Sequence, residues 1–195
     1  VTVLGRYPRP VPDAACFDSP YNNLPGVDQD TFVRANIPVW ACTSDLAATG
    51  TGVAIGVRIF LRHGDVVTNI TFVSGNTAAG TPIHWAHAIY DPDGNLLGAT
   101  ADQTSTAWAA NTAKKLALSA PVTITRDGWY IVATTTTATT VQTLIGSAPI
   151  VTATASVHTG SVALGVTFGT GLDGVPPATT GTLTGVAKCP LAIVS

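Results

Sequence analysis

Methionine and glutamate are absent from this chain of 195 residues, and all 11 of its acidic residues are Asp. Both missing types are strong helix formers, and Lys and Gln, which share that preference, are scarce, whereas the strand-favouring Thr and Val are plentiful. The composition therefore predicts an all-β protein. Charged residues make up only 10%, against about 25% in ordinary globular domains. No run approaches the roughly 18 consecutive apolar residues of a spanning helix, and no basic segment leads into an apolar stretch at the N-terminus. A soluble protein with no membrane insertion and no targeting segment is expected. With a net charge of −2, a pI near 6.0 and no basic cluster beyond the pair Lys114-Lys115, the electrostatic footprint of a nucleic-acid partner is missing as well.

Cysteine is also scarce. Cys16, Cys42 and Cys189 lie far apart with no CxxC spacing, which argues against a zinc knuckle or a thioredoxin-type redox pair. Buried free thiols are expected, since an unpaired Cys packs as a small hydrophobe; a Cys16–Cys42 bridge is the alternative.

What is present divides the chain in two. In residues 1–50, Pro8, Pro10, Pro12, Pro20, Pro25 and Pro38 interrupt any helix or central strand. Tyr7, Phe17, Tyr21, Phe32 and Trp40 are too many aromatics for a disordered linker. The segment reads as an extended N-terminal arm that packs on something, either its own domain or a neighbouring subunit. From Val53 the pattern alternates: Val53, Ile55, Val57, Ile59 and Leu61 share one face, Arg58 and Arg62 the other. Further strands are expected at Val66–Val73, Pro82–Tyr90, Leu96–Thr100, Leu116–Leu118, Val122–Ile124, Trp129–Ala138, Val141–Ile145, Ile150–Val157, Val162–Phe168 and Leu191–Val194. Short strands at roughly 8 to 12 residue spacing, bounded by turn signals, predict an all-β, antiparallel, jelly-roll-like β-sandwich over residues 51–195. The Thr-rich run Thr134–Thr140 fits an ordinary strand, because β-branched Thr suits a pleated surface.

The chemistry-bearing motifs resolve mostly into scaffold. In Asp91-Pro92-Asp93-Gly94-Asn95 the spacing of oxygen donors imitates a calcium loop, with Asp102 at position 12, but Leu96 occupies position 6, where an EF-hand needs Gly. Asp at i, Pro at i+1 and Gly at i+3 fit a type I β-turn instead. No metal is therefore expected. His84-Trp85-Ala86-His87 also spells a metal site, yet on a strand residues three apart point to opposite faces, so one imidazole should be buried and hydrogen-bonded. There is no GxSxG nucleophile elbow and no phosphate-binding Gly-rich loop ahead of a helix. Carboxylate-pair chemistry would need two converging Asp side chains, and the Asp residues fall mostly in turns. Neither enzymatic activity nor a cofactor is expected. Among the tryptophans, Trp85 and Trp129 read as core, and Trp108, in a polar stretch, as a lid closing one end of the sandwich. Trp40, Trp85, Trp108 and Trp129 all allow a sugar-binding platform, because flat rings can stack on sugar faces, and the leading form of that alternative is an exposed Trp108 with His84 or Tyr90 nearby.

The strand around Asn69-Ile70-Thr71-Phe72, the strand and DxDG turn from His84 to Gly94, the Trp108 loop and Asp127-Gly128-Trp129-Tyr130 together resemble a β-sandwich module of virion proteins of bacteriophages infecting actinobacteria, often minor tail proteins. The resemblance runs from about Gly64 to Gly146, somewhat under half the chain, and departs at Gln142, where a proline is expected. It implies a non-catalytic role in the phage particle, as a minor tail or capsid decoration protein. Its partners would be other virion proteins and further copies of this chain, with a trimer as the first expectation. Tyr7, Phe17 and Tyr21 are then candidate partner contacts; Trp108, His84 and Tyr90 are candidate ligand contacts, and a host-surface glycan is the ligand under the alternative of a receptor- or carbohydrate-binding module.

Overall fold

A computed structural model describes residues 32–149 and 162–195. The expected all-β sandwich is what it contains. In chain order the strands are β1 (Arg34–Ala35), β2 (Ser44–Leu46), β3 (Ala54–Leu61), β4 (Val66–Val73), β5 (Gly80–Tyr90), β6 (Leu96–Ala99), β7 (Ala113–Thr123), β8 (Gly128–Thr140), β9 (Leu144–Ser147), β10 (Gly165–Phe168), β11 (Thr184–Gly185), β12 (Cys189–Pro190) and β13 (Ala192–Val194). One turn of 3-10 helix spans Val39–Ala41. A four-stranded sheet, β1-β13-β4-β7, faces a six-stranded sheet, β11-β10-β3-β8-β5-β6, and a small sheet, β12-β9-β2, adjoins them. The strand pairings are antiparallel. Cys16, Tyr7, Phe17, Tyr21 and the strand expected at Ile150–Val157 lie outside the described residues.

Strict alternation decides which side of β3 is core. Ile55, Val57, Ile59 and Leu61 point into the space between the sheets, where they meet Val67, Ile70 and Phe72 of β4, Trp85 and Ile89 of β5, and Tyr130 and Val132 of β8. In β4 the inward residues Val67 and Ile70 are three apart. The register shift between Val67 and Asn69 makes that possible, since a bulge advances one strand against its partner. The same bulge corrects an expectation. Two short strands were expected on either side of Pro121, but β7 runs through it. Pro121 falls in the stretch between Ala117 and Val122 that spans the irregular register against β4, on an edge strand of its sheet, where a missing N–H leaves the ladder intact.

The outer face of the six-stranded sheet forms a second core. Ala54, Ala88, Tyr90, Ile131, Ala133, Val166 and Phe168 are buried there, covered by Leu172 and Leu183 from the Gly-, Thr- and Pro-rich segment after β10. Backbone bonds tie that cover down: Leu172 N–H donates to Gly52 O at 2.9 Å, Leu96 N–H to Ala178 O at 2.9 Å and Thr180 N–H to Gly94 O at 2.8 Å. Tyr130 through Thr136 of β8 are consequently buried without interruption, which places the Thr-rich run in the middle of the domain. The cover stops short of the start of β8, and this overturns the expectation that Trp129 is core: it is 48% exposed.

Residues 32–50 are built into the same body. β1 pairs with β13 and β2 with β9, and Asn36 acts as a splint between them and the C-terminal segment. Its backbone N–H donates to Ala192 O at 3.1 Å, its Nδ2 to Pro190 O at 2.9 Å, and its Oδ1 accepts from Ala192 N–H at 2.8 Å. Gly146 shows how tightly the small sheet is packed: a Cβ there would collide with the carbonyl oxygen of Cys189 and come within 2.7 Å of Pro190 Cα. Gly146→Ala is expected to lower stability by about 1–3 kcal/mol, the usual cost of overpacking, as read by urea unfolding; an unchanged midpoint would show that β9 and β12 separate freely.

Candidate functional site

The Asp91–Asn95 segment is a turn, and the Asp91 carboxylate is what shapes it. Its Oδ1 accepts from the N–H groups of Asp93 at 2.9 Å and Asn95 at 2.8 Å, and its Oδ2 accepts from Asn95 Nδ2 at 3.0 Å. Gly94 N–H closes the turn on Asp91 O at 3.0 Å, with φ at +88°, a conformation that glycine adopts without penalty. Partial burial pushes the Asp91 pKa up, but the hydrogen bonds from Asn95 and Asp93 outweigh it, and the carboxyl is held below its usual range. Asp93 pairs with Arg126. Both carboxylates that would begin a calcium loop are therefore oriented by the turn. Among the described residues no three His, Cys or Asp side chains gather in a way that would hold a metal ion.

β5 separates its two histidines as strand geometry requires. His87 is fully buried between Phe72, Trp85 and Trp108, with ring centroids at 5.0, 5.7 and 5.6 Å. Thr134 Oγ1 donates to Ala86 O at 3.3 Å, leaving a lone pair for a proton on His87 Nδ1 at 3.0 Å; this network assigns the tautomer. Nε2 has no hydrogen-bond partner. Burial pushes the His87 pKa down to about 4, against the backbone carbonyls of Lys114 and Ala86, which favour the charged form.

The loop between β6 and β7 supplies the lid. Trp108 is buried and tilts over Trp85 at 4.7 Å and 33°. Its Nε1 donates to Thr112 O at 3.1 Å, while Trp85 Nε1 donates to Thr106 O at 2.8 Å, so both indoles meet their polar needs inside the fold. The lid reading of Trp108 holds, and its platform alternative does not: neither Trp108 nor Tyr90, which is buried against Phe168 at 5.3 Å, offers a ring to a ligand at the surface. Of the three residues grouped as ligand contacts only His84 is accessible. It sits on the opposite side of β5, its Nδ1 2.5 Å from Asp102 Oδ2, which also accepts from Thr104 Oγ1 at 2.9 Å. Asp102 Oδ1 accepts from Trp85 N–H at 3.2 Å. Burial raises the Asp102 pKa, the bonds from His84 and Thr104 lower it, and the balance lies below the usual range. Asp102 thus anchors the lid loop to β5.

Cys42 and Cys189 are free. Burial pushes the Cys189 thiol up to about 11, opposed by Asn36 Nδ2 at 3.4 Å, and raises Cys42 as well; both are protonated at neutral pH. Gln142, buried where a proline was expected, donates from Nε2 to Thr136 Oγ1 at 2.9 Å and lines a cavity of ≈ 10 Å³, close to the room one water needs. An open depression of ≈ 480 Å³ beside β10 and β11 is lined by Thr167, Thr170, Thr180, Thr182 and Thr184 with Phe168, and carries no charged group.

Two of the four tryptophans stand at the surface. Trp40, on the 3-10 turn, is 73% exposed. Trp129 lies edge-on to its cross-strand partner Phe60 at 5.6 Å and 74°. The local pattern of Trp129 also fits core, and it is the extent of the cover after β10 that leaves it at the surface. No protein-family model matches the chain, and no curated protein matches it.

The His87 geometry sets an acid response. Its folded pKa near 4 lies below the unfolded value of 6.5, so between those limits the unfolded chain binds the extra proton and stability falls as pH falls. The shift of about 2.5 units corresponds to a loss on the order of 3 kcal/mol, fully avoided above about pH 6.5. The contributions of Asp91 and Asp102, whose pKa values are lowered from 3.8, are lost only below that window. Melting followed from pH 7 to pH 4 should show a falling midpoint that His87→Gln flattens; equal slopes in the two proteins would rule out this origin.

Proposed function

We propose that this chain is a non-catalytic structural component of a bacteriophage particle, a minor tail or capsid decoration protein that assembles with copies of itself and with other virion proteins. The observation that carries the reading is the use made of the acids. Asp45, Asp65, Asp91, Asp102 and Asp127 each accept backbone N–H groups, and Asp93 pairs with Arg126. These contacts leave them to fix turns and loops rather than to converge on a substrate. The resemblance over Gly64 to Gly146 supports the same conclusion, and its Trp108 and Asp127-Gly128-Trp129-Tyr130 elements fall on the lid and on the start of β8.

Assembly is read as running through the N-terminal segment and the sandwich surfaces. Because β1 and β2 belong to the domain, the informative truncation ends at residue 31. Light scattering of the full chain should give a multiple of the 19.8 kDa subunit, three copies first, and removal of residues 1–31 should reduce it to one. A full chain that is a single copy, unchanged by truncation, would overturn the assembly reading.

Exposure of Trp40 favours a second reading, a module that binds a host-surface glycan, since a flat exposed indole can stack on a sugar face. A glycan array should then show binding that Trp40→Ala abolishes without shifting the melting temperature; no binding by the unaltered chain would remove it.

A further inference from the structure

The outer face of the six-stranded sheet is covered by its own chain over Ile131 and Ala133, and among the described residues the cover ends before Phe60 and Trp129. Leu164 extends this open strip: it is 41% exposed, and its carbonyl accepts from Arg58 N–H at 2.9 Å, which places it beside β3. An edge-to-face aromatic pair of this kind is a pre-formed apolar seat, because flat rings held in place by strands lose little freedom when something packs on them.

We propose that the strip formed by Phe60, Trp129 and Leu164 receives residues 1–31 of a second copy of this chain, an inference that rests on the assembly reading above. Three observations select that occupant. First, residues 1–31, which lie outside the described residues, carry Tyr7, Phe17, Tyr21 and a dense set of prolines, side chains suited to a flat apolar strip with little ordering cost. Second, four Asp against Arg6 and Arg9 leave residues 1–31 net acidic, and Arg58 stands on the outward face of β3 two residues from Phe60, while Asp127, two residues from Trp129, is tied to His63 N–H at 2.7 Å. Third, the segment is rooted away from the seat. It enters the domain at β1, on the edge of the four-stranded sheet, with Arg34 held at 3.4 Å from Asp65 and stacked over Phe32 at 5.7 Å, whereas the strip faces outward from the other sheet. A root and a seat on different faces of one body make a heterologous contact between copies, which gives a ring when its rotation closes and a filament when it does not. At about 3.3 Å per residue the segment reaches up to about 100 Å, enough to cross to a neighbour.

The test uses the full chain, its Trp129→Lys variant, the chain lacking residues 1–31, and a synthetic peptide of residues 1–31. Trp129 is half exposed, so Trp129→Lys should melt within a few degrees of the parent; Leu164→Lys is a second substitution at the same seat should it not. Light scattering should show that both the seat variant and the truncated chain fall to single copies. The peptide should bind the truncated chain and bind at least tenfold more weakly when Trp129→Lys is added. Should the truncated chain fail to fold, the two full-length seat variants decide alone. A seat variant that keeps the assembled mass while truncation abolishes it would place the arm elsewhere and overturn this inference, leaving the assembly reading intact. A full chain that is a single copy in every form overturns both, including the case in which truncation raises hydrogen exchange at residues 56–62 and shows the segment lying on its own body.

Discussion

Two-sided burial of β8 is the constraint from which the rest of the molecule follows. A strand whose residues from Tyr130 to Thr136 are all withdrawn from water needs apolar contact above and below, and each side is met differently. On one side the four-stranded sheet supplies Val67, Ile70, Phe72, Ala192 and Val194. On the other, the segment after β10 folds back with only Leu172 and Leu183 as large apolar contacts. Small residues make this possible. Ala133, Thr135 and Gly56 keep the outer face low, and a Cβ on Gly56 would come within 2.9 Å of Ile131 Cγ2, so the covering chain can approach closely. The exposed Trp129 is the visible end of that arrangement, the place where two-sided burial runs out of chain to complete it.

The absence of Glu acquires a physical sense from the turns. A carboxylate one methylene from the backbone can reach N–H groups two to four residues along its own chain, as Asp91 does toward Asp93 and Asn95, and Asp65 reaches back to Arg62 N–H at 2.8 Å in the same manner. Longer range versions join separate segments: Asp127 Oδ1 accepts from His63 N–H at 2.7 Å, and Asp45 Oδ2 from Asn76 N–H at 3.2 Å. Short acids fit such geometry with less side-chain entropy to lose than Glu. An all-strand fold with many reversals has frequent use for them.

Much of this was legible in the residues, and the failures are instructive. Alternation placed β3 because one face of it meets the main core, and the turn chemistry of Asp91 to Asn95 was local enough to be decided without a structure. The strand period also separated His84 from His87. Pro121 misled because its effect depends on whether a strand lies at an edge, a property of sheet order rather than of sequence. Trp129 misled for a related reason: it alternates correctly with Tyr130, but its face is covered only as far as a loop of Gly, Thr and Pro extends, and that composition carries no periodic signal. Trp108 was read in the right place because a large aromatic gains most from burial; its acceptor, Thr112 O, and that of Trp85, Thr106 O, are backbone carbonyls whose positions the residue types do not announce.

The Asn36 splint has a mechanical side. It joins the root of the N-terminal segment to the closing strand of the sheet, and β13 in turn pairs with β4. A pull applied to the segment ahead of Phe32 is therefore not borne by the two residues of β1 alone; the side-chain amide passes it to Pro190 and Ala192, and through them to the interior of the sandwich. The anchorage behaves as a rivet rather than a hem, so tension applied at Phe32 loads the body as a whole instead of peeling it from one border.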